Sequence, residues 1–206
     1  YGDDDEGFAL RLGAEPLREV RHHLALVAAL TGHREAAACS TPDLTAGWFG
    51  RARGVLRVEP APSSAPEPAP FHAPHGGLVV LRSGGRRLTM DVGPLGYLSI
   101  AAHGHADALA VTLAHHGREL VGDPGTGSYF AHPAWRTAHR GTRAHATVAV
   151  DDLDQSTMGG AFLWTRHART VTDTVDLDGG LVAAHHDGYQ ALPAPVVHHR
   201  WLIAPP

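Results

Sequence analysis

Gly77-Leu78-Val79-Val80-Leu81-Arg82-Ser83-Gly84-Gly85-Arg86-Arg87-Leu88-Thr89-Met90-Asp91-Val92 decides the fold. Two short apolar runs flank a Gly-Gly pair. That is the signature of two antiparallel strands, 77–83 and 87–92, joined by a tight turn. Downstream the pattern repeats. Further strands are expected near 108–114, 118–121, 145–150, 161–175, 180–187 and 195–204. Turn signals separate them at Gly117, Asp123-Pro124-Gly125, Asp151-Asp152 and Asp178-Gly179-Gly180. Many short strands at this spacing point to an antiparallel sandwich, not to alternating βαβ units.

Upstream the chain changes character. Residues 59–75, EPAPSSAPEPAPFHAPH, hold six prolines. Such a segment cannot be a helix or a central strand, and it reads as a semi-stiff linker. Before it, residues 17–38 place Leu17, Val20, Leu24, Val27 and Ala28 at helical spacing, with Gly32 as a stop or break. A second short helix is expected over 41–50, with Thr41 as N-cap and Pro42 at its first position. The chain opens at Tyr1-Gly2-Asp3-Asp4-Asp5-Glu6-Gly7 without a Met, and we read it as a fragment or a mature piece.

Composition bounds the chemistry. The 206 residues include 17 His and 17 Arg but no Lys, which excludes Schiff-base chemistry and a P-loop lysine within the chain. The net charge of −4 gives no basic footprint for nucleic acid. No apolar run approaches the length of a membrane span. A single Cys39 excludes an intrachain disulfide and a multi-cysteine zinc site. Most histidines, including His22, His23, His33, His115, His116, His132 and His167, read as surface or boundary residues.

The densest polar cluster is His103-Gly104-His105-Ala106-Asp107, just before an apolar run. In extended chain the two imidazoles share a face. They either share a metal, or one holds a metal while the other faces a cleft. Asp107 is either a partner to a ligating imidazole or a backbone cap. Asp123 in the loop 121–129 reads as a turn cap or as an oxygen ligand, and Tyr129 as a cleft-lining phenol. His145 is a third candidate ligand, since two imidazoles and a carboxylate are a common zinc set. Trp135 and Arg136 follow the 121–129 loop and read as candidate binding residues, against the plainer reading of a packed loop. Asp3, Asp4 and Asp5 read as a solvated loop.

In order, Gly76 to Arg82, His103-Gly104-His105-Ala106-Asp107-Ala108-Leu109, Val121-Gly122-Asp123-Pro124-Gly125-Thr126, Ser128-Tyr129, Arg140, Ala144-His145, His186-Asp187-Gly188-Tyr189 and His199-Arg200 resemble the heparinase II/III-like family of bacterial polysaccharide lyases. The resemblance implies an α+β multidomain fragment. Residues 1–58 would be the C-terminal helices of an incomplete (α/α) toroid, 59–75 the linker, and 76–206 a mostly antiparallel β-sandwich, incomplete at its C-terminus. It implies β-elimination on a uronic-acid polysaccharide, a periplasmic or secreted location, and a structural zinc on His105, Asp123 and His145. His103 and Tyr129 would be catalytic, with Trp135 and Arg136 on the substrate. Family members carry further catalytic residues in the toroid, so this chain alone is expected to be inactive. Where the family often has Asn after the third ligand, this chain has Ala146. The alternatives are a cupin-like metal enzyme, with both imidazoles of the His-x-His pair on one metal, or a non-catalytic carbohydrate-binding sandwich. Nothing in the sequence fixes an oligomeric state.

Overall fold

The computed structural model describes residues 3, 19–52 and 68–205. The chain divides into two compact units, residues 6–68 and residues 1–5 with 69–206. The linker core at 53–67 and the expected helix start at 17–18 lie outside the described residues.

The first unit is helical. α1 spans Val20–Thr31 and ends at Gly32, whose φ of 73° makes the left-handed C-cap that only glycine adopts cheaply. The helix expected over 17–38 is therefore broken there. α2 covers Arg34–Ala38, capped by His33 Nδ1, which accepts from Ala36 N at 3.2 Å. α3 covers Leu44–Ala52. Its cap is Asp43, which accepts from Ala46 N at 2.7 Å, so the helix starts later than the Thr41-Pro42 signal suggested.

The second unit is built on two main sheets. β1 (Phe71–Ala73), β2 (Leu78–Ser83), β3 (Arg86–Asp91), β4 (Val111–His115) and β5 (Arg118–Val121) form an antiparallel sheet in that order. The Gly84-Gly85 hairpin pairs Leu81 with Leu88, as its sequence demands. β1 uses the end of the Pro-rich stretch, and it sits at the sheet edge, the place where flanking prolines are tolerated. β6 (Thr157–Gly160) pairs with β7 (Leu163–Arg166). β8 (Thr170–Asp176), β9 (Leu181–Tyr189) and β10 (Val196–Ile203) form a three-stranded antiparallel sheet with β9 central.

Val79, Leu81, Met90, Val92 and Leu109 pack against Val182, Ala184 and Ala204, so the two main sheets share one core. This is a sandwich. Among the described residues no sheet closes into a barrel.

Two expected strands differ. Residues 145–150 form no ladder beyond an isolated bridge from Val150 to Leu153. Thr147 Oγ1 donates to Ala108 O at 2.8 Å, and Arg200 Nη1 donates to Ala146 O at 2.7 Å. The long strand expected over 161–175 is interrupted at 167–169, where Ser156 Oγ accepts from Ala168 N at 2.9 Å. A helix, α4 (Pro133–Arg140), was not expected. Its buried face carries Arg136 and Arg140 while Trp135 is 63% exposed, the reverse of ordinary amphipathic patterning.

Behind the core, His186 and His198 form a buried pair. Gly188 N donates to His186 Nδ1 at 3.1 Å, so His186 Nε2 carries the proton and donates to His198 Nδ1 at 3.0 Å. Burial, with the neighbouring positive groups, pushes both down to about 4. Both imidazoles are neutral when folded and take up protons readily when unfolded. Stability is therefore full above the ordinary histidine value and falls as pH drops toward 4. The loss is on the order of a few kcal/mol for the pair together. Urea midpoints measured between pH 7 and pH 4.5 should fall steeply. His198→Gln, which keeps an acceptor for His186 but does not titrate, should flatten that slope. An unchanged slope would remove the pair from acid denaturation.

Candidate metal centre and cleft

The segment 102–107 is not an extended strand. His103 has a φ of +65°, a strained conformation for a residue with a side chain. Its imidazole consequently separates from that of His105. The His103 side chain is 55% exposed, while that of His105 is fully buried. Among the described residues, His105 and not His103 belongs to a group of donors lying within 4.8 Å of one another, which disfavours the cupin-like reading.

Gly104 permits this geometry. A Cβ there would lie 2.9 Å from Gly96 N and 3.1 Å from Ala101 O. Its carbonyl accepts from the buried Trp164 Nε1 at 3.1 Å. Arg140 from α4 lies over the Trp164 ring at 4.8 Å and donates to Gly160 O at 3.1 Å. Ala106 N donates to Arg140 O at 2.8 Å. The loop carrying both histidines is thus held from beneath by an arginine and a tryptophan.

His105, Asp107 and His145 are buried, and they offer ligand atoms within 4.8 Å of one another. His105 Nε2 contacts Asp3 Oδ1 at 3.2 Å. His145 Nδ1 contacts Asp123 Oδ2 at 2.7 Å. The remaining nitrogens, His105 Nδ1 and His145 Nε2, are buried with no hydrogen-bond partner. Two orphaned imidazole nitrogens beside a carboxylate fit a metal, because leaving such groups unpaired is costly. Asp91, His105 and Asp107 also line a cavity of about 10 Å³, close to the space of one small species.

The electrostatics agree. Burial, reinforced by Asp91, raises the Asp107 carboxyl to about 7. Burial likewise raises Asp91 to about 6. Burial lowers His105 to about 4, against the opposing hydrogen bond that Asp3 accepts from it. Burial would raise Asp123, but the hydrogen bond and charge of His145 outweigh it and hold the carboxylate below its usual range. His145 is displaced upward: burial lowers it, and the hydrogen bond to Asp123 with the charge of Asp107 more than compensates.

The exposed His103 faces a different set of groups. Its Nδ1 lies 3.2 Å from Tyr129 Oη and 3.3 Å from Asp3 Oδ2. Phe162 meets the imidazole edge to face at 5.6 Å. Arg136 lies over both the Tyr129 and Phe162 rings, at 4.6 and 4.4 Å, and is ion-paired to Asp3. At 4% exposure its guanidinium braces the wall and is already paired, so it does not stand free for a sugar acid as the sequence suggested. Trp135 is exposed and stacks on His139 at 5.8 Å.

Asp3 corrects the reading of its segment as solvated. Its side chain is 1% exposed, its backbone N donates to His103 O at 2.8 Å, and its carboxylate touches His103, His105 and Arg136. No local pattern foretold this, because the contact spans about a hundred residues. Asp107, Arg140 and Trp164 also matter more than their sequence context showed. His103, Tyr129, His105, Asp123 and His145 do come together as two adjoining groups, joined through Asp3.

A family model described as heparinase II/III-like, C-terminal, matches residues 65–205. Among solved structures, the chain is similar to a heparinase III with methylated lysines (TM-score 0.56, 16% identity, 90% of this chain and 25% of that one). It is also similar to the heparan sulfate lyase HepC from Pedobacter heparinus (TM-score 0.52, 17% identity, 88% and 25%). A further heparinase III gives a TM-score of 0.52 at 16% identity, over 71% and 22%. The chain therefore spans about a quarter of these neighbours. No curated protein matches it. On the strength of the family match, the chain belongs to the heparinase II/III-like family through its C-terminal domain.

Proposed function

We propose that this chain forms one wall of the active site of a polysaccharide lyase that cleaves a uronic-acid polymer by β-elimination. The carrying observation is His103, exposed and held in a strained backbone conformation, with its Nδ1 beside both Tyr129 Oη and the Asp3 carboxylate. Asp3 favours the tautomer with the proton on Nδ1, which leaves the lone pair on Nε2. That arrangement suits removal of the proton at C5, α to the sugar carboxylate. The C4–O4 bond then breaks, and the leaving oxygen needs a proton, for which a phenol such as Tyr129 is suited. Trp135, exposed on α4, offers a stacking surface for a sugar ring.

Family membership supports the lyase class, and the proposed partner is an acidic polysaccharide. The proposed location is the periplasm or the outside of the cell, in keeping with a polymer substrate. Among the described residues no helix is long and apolar enough to cross a membrane. The helices α1–α3 are assigned to the end of a toroid over residues 1–58. The opposite wall would come from residues beyond this chain.

The proposed ion is zinc, which suits imidazole and carboxylate donors. His105 and His145 would hold it. Asp107 lies with the two imidazoles, and Asp123 makes the 2.7 Å contact to His145. The ion would brace the loop that carries His103 and would supply no step of the elimination.

The main test compares the 206-residue chain with the longest protein its gene encodes, on heparan-type and alginate-type polymers. The longer protein should release unsaturated uronates, seen by their ultraviolet absorbance, and the isolated chain should not. His103→Ala in the longer protein should cost about 10²- to 10⁴-fold in kcat and keep the metal. Polymer binding without product would favour the non-catalytic sandwich. Turnover by the isolated chain would refute the one-wall assignment.

Metal analysis after His105→Ala should show lost zinc and a lower thermal midpoint. Asp107→Asn and Asp123→Asn separate ligand from orienting group: losing the ligand removes the ion, while losing the orienting carboxylate weakens it about 10- to 100-fold. The raised Asp107 carboxyl stabilises the metal-free fold only while protonated, so this contribution disappears as pH rises through about 7. Chelation should therefore lower the midpoint more at pH 8 than at pH 5. Asp3→Ala leaves Arg136 buried and unpaired, and it should cost about 3–5 kcal/mol in denaturant unfolding. A loss below 1 kcal/mol would show that Asp3 is not a tether.

A further inference from the structure

The outer face of the β8–β9–β10 sheet carries a second group of donors, apart from the centre at His105 and His145. The β9–β10 register sets His185 directly opposite His199. Their rings stack at 4.8 Å with 28° between planes. On the other side of His185, the β8–β9 pairing slips. Thr172 pairs with Ala184 and Thr174 with Ala183, so Asp173 is an extra, unpaired residue. A bulge of this kind re-aims a side chain, and here both Asp173 oxygens lie 2.9 Å from His185 Nδ1.

We propose that Asp173, His185 and His199 form a second metal site, taking a divalent late transition-metal ion such as Zn²⁺, Ni²⁺ or Cu²⁺. Each residue offers a ligand atom within 4.8 Å of the others. Two imidazoles and one carboxylate are the donor set of zinc and copper sites and are disfavoured by Ca²⁺ and Mg²⁺, which take oxygen donors. At metal–ligand distances of about 2.0–2.2 Å, donors on a tetrahedral ion stand about 3.3 Å apart. The Asp173–His185 spacing is already close to that, and rotation of the His199 ring closes the remainder. His185 and His199 sit opposite one another on paired strands, so little order is lost in bringing those two donors together.

The site has an open side. The groove beside it is bounded by Arg169, Val171, Asp187, Gln190 and Val197 as well as the two histidines. Three protein ligands leave a coordination position facing that groove, available to water or to an oxygen donor from a ligand. Asp173 and His185 are partly exposed, with side-chain values of 38% and 28%, so an ion can enter from solvent.

The test is calorimetric zinc titration of the full 206-residue chain after chelator treatment. Two classes of site are expected, with the second resisting competition by Ca²⁺ and Mg²⁺. His199→Ala and Asp173→Asn should each weaken the second class at least tenfold and leave the first class and the circular dichroism unchanged. His116→Ala serves as the control, because His115 and His116 also lie together at 4.2 Å, and it should have no effect. Zinc binding in which no class of site is weakened by His199→Ala, or in which the affected class also disappears with His116→Ala, overturns the proposal, whether or not the His105 centre takes up an ion.

Discussion

A charge removed from water must be met by a proton, an opposite charge or an ion, and this requirement organises the sandwich unit around residues 91–145. Asp91, Asp107, His105 and His145 crowd into one region, with Asp123 at its rim. Each solution is visible in turn. Asp107 and Asp91 retain protons far above the usual carboxylate range, because burial penalises their charged forms. Asp123 and His145 neutralise one another. Asp3 reaches in from the start of the chain to face His105, His103 and Arg136. Asp3 N also donates to His103 O, so the same residue ties down the loop on which His103 stands.

The helix α4 shows how far a polar interior can depart from the usual pattern. Arg136 and Arg140, four residues apart, share its buried face. One guanidinium spans Tyr129, Phe162 and Asp3. The other spans Trp164 and the carbonyls of Gly104 and Gly160. Aromatic faces attract a cation more strongly where water is excluded. Arginine suits such a role because its planar fork both stacks and donates.

The antiparallel sheets were readable from sequence because period-2 apolar runs and glycine turns are local signals. The Gly84-Gly85 hairpin is the clearest case. The division between His103 and His105 was not readable from spacing. In an extended chain they would share a face, whereas with a φ of +65° at His103 one imidazole is exposed and the other buried. α4 escaped notice because its apolar and polar faces are inverted, although Pro133 at its first turn was a usable start signal. Asp3 escaped because nothing local distinguishes a tether from a solvated acidic loop. Ala146 replaces the Asn that the family resemblance led us to expect. Its backbone carbonyl remains engaged there, accepting from Arg200 and from Val111 N.

Among the described residues the five-stranded sheet ends on β1 at one margin and on β5 at the other, and each is unsuited to templating another chain. At one margin β1 is only three residues long and lies between Pro70 and Pro74, so an incoming strand finds few donors in register. At the other, β5 begins Arg118-Glu119, which places alternating charge where a flat apolar neighbour would have to dock. The prolines that mark a boundary in the sequence thus also guard the sheet against edge-to-edge self-association.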